Sequence, residues 1–455
     1  MKRRTTVLFA MIVLMLAWSK PAAAQQRYIV VSTGGLSSVL NLCSLLGCQV
    51  QGSLDGKLGQ TFLVTSTNLL NTTLTLLESL LGIVSIERDL FLPIARPSLP
   101  SIPYGLYDTS PVNYYGTVVW HGYAAQPAAQ IIRIQDAQNG FGVSGTGIVA
   151  LIDTGVDPHH PVLSPVLLEG YDFTRNQPGA SEWLDVTGMQ SGYEGTSSNQ
   201  QPGYVQQSTA AVLDQSTAAV LDGSPYVAFG HGTMTSGLVH LVAPKAKILP
   251  LKAFSANGTG YLSNIVAALY YAVQNHANVV NMSFDLSSSS RSLQQAVSYA
   301  NKAGVVLVAA AGNESTNARV YPAAMNGNVV GIASTTDWDT RSSFSNYGSA
   351  DVWIAAPGEY VISTYPGGTY ASESGTSFSS PLVAGTVALL LSAKQAGFNQ
   401  SQVGNALANA QVLTPDLNHG RLNVYQAVSA WVNSSSSTTT SSSSSSSSSC
   451  SLLCL

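Results

Sequence analysis

Charged side chains are scarce in this sequence. Asp, Glu, Lys and Arg make up 9% of the 455 residues, against about 25% in ordinary soluble domains. The 19 basic and 23 acidic residues give a net charge of −4, so no basic excess is available for binding nucleic acid. Long apolar runs are missing as well. The one continuous run, at residues 7–18, is too short to span a bilayer comfortably, which excludes a multi-span transporter.

The apolar run at residues 7–18 is typical of an export signal. It follows the basic residues 2–4 and ends near the small residues 22–24, where a signal peptidase cuts. An N-terminal anchor helix is the alternative, which the shortness of the run and the well-formed cleavage site disfavour. We predict a signal peptide over residues 1–24, a secreted product, and no transmembrane segment after the signal is removed.

Cysteine is rare. The four cysteines form two close pairs, Cys43 with Cys48 and Cys450 with Cys454, and an oxidising compartment permits a local disulfide in each. Neither pair has the histidines or further cysteines that a zinc site needs. None of the four is predicted to be a nucleophile.

Residues 27–95 have the pattern of a small α+β unit. Strand-like alternation and leucines at helical spacing follow each other in the order β-α-β-α-β. The predicted segments are 27–32, 36–46, 61–65, 68–81 and 83–92. A proline-rich stretch follows, which predicts a linker over residues 96–125.

Strands and helices alternate over residues 126–432. The short apolar strands are separated by helical stretches, which indicates an α/β domain with a mainly parallel sheet covered by helices on both faces. These strands are predicted at 147–152, 279–282, 305–310 and 329–332.

Two polar segments stand apart from this alternation. Residues 170–230 are rich in Gly and Ser and contain a tandem duplication of QSTAAVLD at 207–222, which we interpret as part of a surface insertion. Residues 433–455 include sixteen consecutive Ser or Thr residues. Such a run buries no apolar area, so we predict a disordered tail.

An apolar strand ends at Asp153, which Thr154 and Gly155 follow. Parallel α/β sheets place their sites at the carboxyl ends of strands, although an Asp that caps a turn is the commoner meaning of this pattern. Apolar-Asp-Thr-Gly also occurs in aspartic proteases, whose catalytic dyad needs two such loops. No second Asp-Thr-Gly or Asp-Ser-Gly occurs here, and the α/β alternation contradicts an all-β fold.

Three further residues have chemically useful settings. His231 lies between two glycines, which suits a helix start that approaches other backbone closely. Ser377 precedes an apolar helix at 382–391, and a helix N-terminus stabilises negative charge on an attacked carbonyl. Asn313 follows a strand and supplies an uncharged amide donor, as an oxyanion needs. The six other histidines, including the adjacent pair at 159 and 160, are interpreted as structural.

Taken together, these residues resemble the subtilisin-like serine proteases, the subtilase family. The chain order Asp, His, Ser is that of subtilisin and differs from the orders in chymotrypsin and the α/β-hydrolases. The family motifs fall, in order, on Asp153 with His160-Pro161, on His231-Gly232-Thr233, on Asn313, and on Gly375-Thr376-Ser377 with Pro381.

The resemblance implies a subtilisin-like three-layer α/β fold with a mainly parallel sheet. It makes Asp153, His231 and Ser377 the catalytic triad and Asn313 the oxyanion donor of a serine endopeptidase. It also implies that an extended substrate pairs as an added strand, with residues 309–312 lining the pocket for the side chain that precedes the cut. The expected substrate-binding residues are Gly258, Thr259, Gly260, Ser283, Phe284, Asp285, Ala310 and Gly312.

The resemblance extends to the small unit at 27–95, which is similar to the family's inhibitory pro-segment, a domain that chaperones folding and plugs the cleft. The alternative is an independent binding domain. Asp285 stands where the family often has glycine, and its side chain is expected to crowd or charge the substrate strand. Residues 238–244 lack the Asn-rich loop that binds calcium in several secreted members, so no metal or cofactor is predicted.

The alternative function, from a different class, is a catalytically idle subtilase fold kept as an exported binding protein. The four intact motif residues argue against it, since a binding protein has no need of all of them. The sequence therefore predicts a secreted endopeptidase whose partners are polypeptide substrates and its own pro-segment, with no nucleic acid.

Overall fold

The computed structural model describes residues 25–67, 82–93, 103–186, 226–394 and 399–434. Several sequence-based predictions lie outside these residues. They are the signal peptide, the helix at 68–81, the duplication at 207–222, nearly all of the Ser/Thr tail and the pair Cys450 and Cys454.

Strands and helices alternate through the larger part of the described chain. The strands are β1 (Gln26–Ser32), β2 (Cys48–Ser53), β3 (Thr61–Ser66), β4 (Ile83–Arg88), β5 (Phe91–Pro93), β6 (Pro111–Tyr114), β7 (Thr117–Trp120), β8 (Ile148–Asp153), β9 (Tyr171–Asp172), β10 (Gln177–Pro178), β11 (Lys247–Lys252), β12 (Thr259–Tyr261), β13 (Val279–Met282), β14 (Val306–Ala310), β15 (Val330–Thr335), β16 (Ile354–Pro357), β17 (Val361–Tyr365) and β18 (Thr369–Glu373). The α-helices are α1 (Gly35–Leu46), α2 (His121–Ala124), α3 (Pro127–Ile131), α4 (Ile134–Phe141), α5 (His231–Val242), α6 (Leu262–Gln274), α7 (Arg291–Lys302), α8 (Thr376–Ala393), α9 (Gln400–Leu407) and α10 (Val424–Asn433).

An eight-stranded sheet forms the centre of the molecule. Its strand order is β10-β9-β11-β8-β13-β14-β15-β16. All neighbouring pairs are parallel except β10 with β9, which are antiparallel. Because parallel strands point the same way, the carboxyl ends of β8, β13 and β14 lie at one edge of the sheet. The predicted mainly parallel sheet is confirmed.

Helices cover both faces of this sheet. In β8, Val149 and Leu151 belong to a core that includes α5, α8 and α10. The alternate residues Ala150 and Ile152 belong to a second core that includes α6 and α7. Successive side chains in a strand point to opposite faces, so a continuous apolar run supplies both cores at once. The three-layer α/β architecture is thus as predicted.

Helix α8 runs through the first of these cores. Within the part of the chain that the structure describes, it is the one helix long and apolar enough to cross a membrane by length and composition alone, and 83% of that stretch is buried inside the protein. A helix that is apolar on all sides is buried in this way in the core of a large domain.

The small N-terminal unit, described at residues 25–67 and 82–93, contains a four-stranded antiparallel sheet in the order β2-β3-β1-β4. Helix α1 packs on it through Val39 and Leu42, and a disulfide joins Cys43 to Cys48. Strand β2 is absent from the sequence-based prediction, because its Cys-Gln-Val-Gln-Gly-Ser sequence has one large apolar residue and alternates over only its first four residues.

The linker interpretation of residues 96–125 is wrong for residues 103–125. Strands β6 and β7 form a hairpin there, and Tyr114, Val119 and Tyr123 lie in the main core. The prolines suggested an extended linker, but the aromatic and β-branched residues between them bury enough surface to fold this stretch onto the catalytic domain.

The surface-insertion interpretation is also wrong for the two ends of the segment 170–230. Strands β9 and β10 extend the central sheet, and Asp172, Ala180, Glu182 and Ala228 are buried. Both ends of the segment are polar in composition. Their polar groups are hydrogen-bonded inside the molecule, so a polar composition does not mean that these residues are exposed.

Candidate active site

Asp153 ends β8 at the carboxyl edge of the central sheet, and its side chain is buried. Its Oδ1 accepts a hydrogen bond from the backbone N–H of Thr154 at 2.7 Å. Its Oδ2 accepts one from Thr235 Oγ1 at 3.1 Å. Donors on both oxygens stabilise the ionised carboxylate and fix its orientation.

His231 begins α5, after Gly230, whose φ of 89° lies in the left-handed region that favours glycine. The helix start packs closely on the loop after Asp153, since a Cβ on Gly232 would collide with the carbonyl oxygen of Gly155. His231 Nδ1 lies 2.7 Å from Asp153 Oδ1. Nδ1 therefore donates to the carboxylate, and Nε2 is the basic nitrogen. That Nε2 is buried and has no hydrogen-bond partner in the described chain.

Ser377 is the second residue of α8. Its Oγ donates to the carbonyl oxygen of Ser283 at 3.3 Å, and Ser283 Oγ donates to the Ser377 carbonyl oxygen at 2.9 Å. The ring of the next residue, Phe378, lies with its centroid 5.2 Å from that of His231. Because α5 and α8 pack against each other, the serine and the imidazole lie on neighbouring helices.

Asn313 follows β14, and its side chain is anchored to the start of α8. Its Oδ1 accepts hydrogen bonds from the backbone N–H and the Oγ1 of Thr376, both at 2.9 Å. This pair of bonds fixes the amide beside the residue that precedes Ser377.

A profile of the subtilase family matches residues 145–449. This chain belongs to the subtilase family. It is 35% identical to thermitase from Thermoactinomyces vulgaris over 308 residues, which are 65% of this chain and 94% of thermitase. It is 34% identical to a thermophilic serine proteinase from Bacillus sp. (strain AK1) over 285 residues, which are 62% of this chain and 61% of that protein. The chain is thus a serine-type peptidase, and its substrates are polypeptides.

The fold has a counterpart among solved structures. A lanthipeptide protease superposes with a TM-score of 0.51 at 24% identity, covering 68% of this chain and 93% of that one. This likeness agrees with the subtilisin-like α/β architecture of the subtilase described above.

Sequence reasoning missed Glu182, which the subtilase buries behind the triad. Its Oε1 accepts from the Thr233 backbone N–H at 2.8 Å and from Thr154 Oγ1 at 3.3 Å. Its other oxygen accepts from the backbone N–H of Gly230. Burial raises the pKa of Glu182 to about 7, against the opposing charge of Lys252. Glu182 therefore ties the start of the histidine helix to the loop after Asp153.

No local motif in the sequence identifies Glu182. Its partners lie 28 to 51 residues away, and the residue stands in the polar stretch taken for a surface insertion. The one available signal is that Glu182 is a charged residue in a chain with few charges. That signal is not enough to assign a role to it.

Six of the eight residues expected to bind substrate fall into two groups. Ser283, Asp285 and Gly312 lie around the nucleophile, since Ser283 contacts Ser377 and the Gly312 N–H donates to Thr376 Oγ1 at 3.2 Å. Thr259 and Gly260 lie in β12 and Gly258 directly precedes it, and β12 pairs antiparallel with β5 of the N-terminal unit.

Two of the expected residues do not offer a side chain to the cleft. Phe284 is buried in the core and packs on Phe254 with ring centroids 5.3 Å apart. Ala310 is buried at the end of β14. Because successive side chains alternate in extended chain, the side chain between Ser283 and Asp285 points inward, and Phe284 can contribute its backbone alone.

His160 lies in a structural setting, as predicted, whereas its neighbour His159 is exposed. His160 Nε2 lies 3.0 Å from the Thr369 carbonyl oxygen, and burial lowers the pKa of its imidazole. Burial likewise lowers the pKa of His240 to about 3, so both rings stay neutral near pH 7.

Proposed function

We propose that this subtilase is a secreted serine endopeptidase that hydrolyses peptide bonds through Asp153, His231 and Ser377. One observation carries the proposal. His231 Nδ1 is held 2.7 Å from the Asp153 carboxylate, while the buried Nε2 has no hydrogen-bond partner in the described chain. An imidazole oriented in this way can take a proton from the serine on the neighbouring helix.

The reaction follows from these groups. Ser377 Oγ attacks the carbonyl carbon of the peptide while His231 Nε2 takes the hydroxyl proton. The same imidazole gives this proton to the leaving amine, and a water molecule then releases the acyl group by the reverse sequence. Asp153 orients the ring and stabilises its charged form. The proposal includes no cofactor and no metal ion.

The negative charge on the attacked oxygen needs donors that are already in position. We assign this role to the side-chain amide of Asn313 and the backbone N–H of Ser377. The anchoring of Asn313 to Thr376 supports the assignment, because a fixed amide needs no reorganisation during the reaction. The position of Ser377 in the first turn of α8 adds the positive end of the helix dipole.

Substrate is proposed to bind as an extended strand along β12. The pairing of β5 with β12 supports this, since residues 91–93 of the pro-segment form an antiparallel ladder with Thr259–Tyr261. A peptide that adds to the same edge gains main-chain hydrogen bonds irrespective of its sequence. The pro-segment occupies that edge and thereby blocks it.

Two pro-segment carboxylates support the inhibitory role further. Asp89 accepts from the Ser263 N–H at the start of α6, at 2.8 Å. Glu87 accepts from the backbone N–H groups of Arg291 at 3.0 Å and Ser292 at 2.8 Å, at the start of α7. Acidic groups at helix N-termini satisfy free N–H groups and the helix dipole. The pro-segment thus docks on two helices of the enzyme that carries it.

The test is the Ser377→Ala variant, with Ser379→Ala as its matched control on the same helix. Ser379 Oγ is buried without a hydrogen-bond partner in the described residues, so its loss should be nearly neutral. We expect Ser377→Ala to lower kcat about 10⁶-fold, the size of loss measured for the nucleophile of subtilisin. The serine-directed probe is a fluorophosphonate, which should label the wild type and Ser379→Ala but not Ser377→Ala.

Near-full peptidase activity in Ser377→Ala would show that Ser377 is not the nucleophile. A wild-type protein that is secreted and folded, yet neither cleaves peptides nor reacts with the fluorophosphonate, would instead favour the catalytically idle binding protein. Melting temperatures of the three proteins should agree within about a degree, which excludes misfolding as the cause.

A further inference from the structure

Two loops flank the nucleophile. Residues 283–285 leave the carboxyl end of β13, and residues 311–314 leave the carboxyl end of the neighbouring strand β14. Ser283 contacts Ser377, and the Gly312 N–H contacts Thr376. The two loops therefore border the start of α8, next to the place where Ser377 would meet the attacked carbonyl.

Both loops bring a carboxylate to the space between them. The built position of a Cβ on Gly312 lies 2.7 Å from Asp285 Oδ2 and 2.7 Å from Glu314 Oε2, so the two oxygens are no more than twice that distance apart. Gly312 has a φ of 95°, and these neighbours leave no room for a larger residue. The two acidic groups thus face the same small space.

No positive charge in the described part of the chain balances this pair. Within the described residues, the ion pairs involve neither Asp285 nor Glu314. Asp285 Oδ2 is buried and has no hydrogen-bond partner. Glu314 Oε2 accepts from Asn346 Nδ2 at 2.7 Å and from the Asn313 N–H at 3.0 Å. A buried carboxylate without a partner is costly, and a cation from outside would remove that cost.

We propose that Asp285 and Glu314 make this subtilase select lysine or arginine at the residue whose carbonyl is attacked. The inference rests on the proposed function, because it takes Ser377 as the nucleophile and residues 309–312 as part of the pocket for that side chain. Arginine or lysine brings the missing charge and donors to Asp285 Oδ2. An apolar side chain leaves the carboxylate unpaired and adds to its desolvation.

The selection should depend on pH. Burial and the neighbouring charge of Glu314 raise the pKa of Asp285 to about 7. Below that pH Asp285 is neutral, and above it the group carries the charge that attracts a basic side chain. The preference for arginine over an uncharged residue is therefore expected to grow between pH 6 and pH 8.

The experiment compares tetrapeptide substrates that differ in that one residue, as arginine, citrulline, lysine, phenylalanine and glutamate. Citrulline has the shape of arginine without its charge. The ratio of kcat/KM for arginine to citrulline cancels the titration of His231, since both substrates use the same triad. For the wild type at pH 8 we expect a ratio of about 100, which corresponds to about 2.8 kcal/mol at 1.4 kcal/mol per tenfold.

Asp285→Asn keeps the shape of the side chain and removes its charge. The arginine-to-citrulline ratio should fall about tenfold or more in this variant and lose its rise between pH 6 and pH 8. Glu314→Gln should lower the ratio by a smaller factor, because Glu314 is exposed and solvent screens its charge. Asp136→Asn, which removes an exposed carboxylate on α4, should leave the ratio unchanged.

An arginine-to-citrulline ratio near 1 in an enzyme that cleaves phenylalanine substrates would overturn the inference and leave the proposed function standing. A ratio above 10 that Asp285→Asn does not change would also overturn it. Failure of the proposed function is a different result, in which no substrate is cleaved and the fluorophosphonate does not react.

Discussion

Asp153 and Asp285 stand at the carboxyl ends of the neighbouring strands β8 and β13, and they differ in their hydrogen-bond partners. Asp153 accepts hydrogen bonds on both oxygens and holds His231. Asp285 has a buried oxygen that no group of the described chain reaches. The first carboxylate serves the reaction as a fixed charge. The second, by our inference, is left unpaired until a substrate brings a cation.

Glu182 is a positioning residue, since it acts on the reaction through the start of the histidine helix. Each carboxylate oxygen of Glu182 accepts a hydrogen bond from a backbone N–H. In Glu182→Gln an amide N–H₂ replaces one of these oxygens, so two donors face each other at that position. A buried donor left unsatisfied costs about 1–3 kcal/mol. We expect kcat to fall about tenfold, KM for a tetrapeptide to stay within a factor of two, and the melting temperature to drop by a few degrees.

Glu169→Gln is the control for this prediction, because it changes an exposed glutamate in the same region. A fall in kcat without a change in KM indicates that Glu182 positions His231, which a general loss of stability would not produce. Equal kcat in Glu182→Gln and wild type at a temperature where both are folded would show that Glu182 stabilises the fold without positioning His231.

At the scale of elements, Asp89 and Glu87 supply part of the capping of α6 and α7 from outside the enzyme domain. The Ser290 side chain supplies another part at α7, where it accepts from the Leu293 N–H. We predict that Glu87→Gln with Asp89→Asn loosens both helix starts in the full precursor. The measurement is amide hydrogen exchange in a Ser377→Ala background, where self-cleavage cannot interfere. Exchange should quicken about tenfold or more at Ser263, Arg291 and Ser292, whose N–H groups the two carboxylates accept.

The start of α9 gives an internal reference for this measurement. Asn399 caps α9 with its own side chain, so exchange at Gln402 should not change. If exchange at the starts of α6 and α7 also stays the same, the carboxylates do not hold the pro-segment on the enzyme.

Sequence predicted the elements whose signal is local. The run 147–152 indicated β8 to within a residue, because a doubly buried strand is apolar without interruption. The same rule missed β2, whose residues are mostly polar. It also missed the hairpin of β6 and β7, where prolines outweighed the aromatic residues. The contacts of Glu182 and Asp285 depend on residues that meet only in the folded chain, so no pattern predicts them.

At the scale of the whole molecule, we predict that the precursor cuts itself between the pro-segment and the enzyme. The proline-rich sequence between residues 95 and 126 predicts an exposed segment in which this cut falls. Leu106, Tyr114, Val119 and Tyr123 pack in or against the enzyme core, which narrows the range to residues before 106.

Ser377→Ala should therefore accumulate as the full chain without its signal peptide, whereas the wild type yields two fragments. Mass spectrometry of both proteins measures the cut directly. The host must lack proteases that attack exposed loops. Processing of Ser377→Ala at the same bond in that host would show that another enzyme makes the cut.

The pro-segment contacts also have a thermodynamic consequence. Glu87 and Asp89 bind the N-terminal ends of α6 and α7, and such ends exist only when the enzyme domain is folded. A ligand of this kind stabilises the folded state by RT ln(1 + [L]/Kd). After the cut, the fragment is a free ligand whose concentration falls on dilution. Under the proposed inhibition, this dissociation both activates the enzyme and removes a stabiliser, so we expect the lifetime of the enzyme to depend on how far it has been diluted.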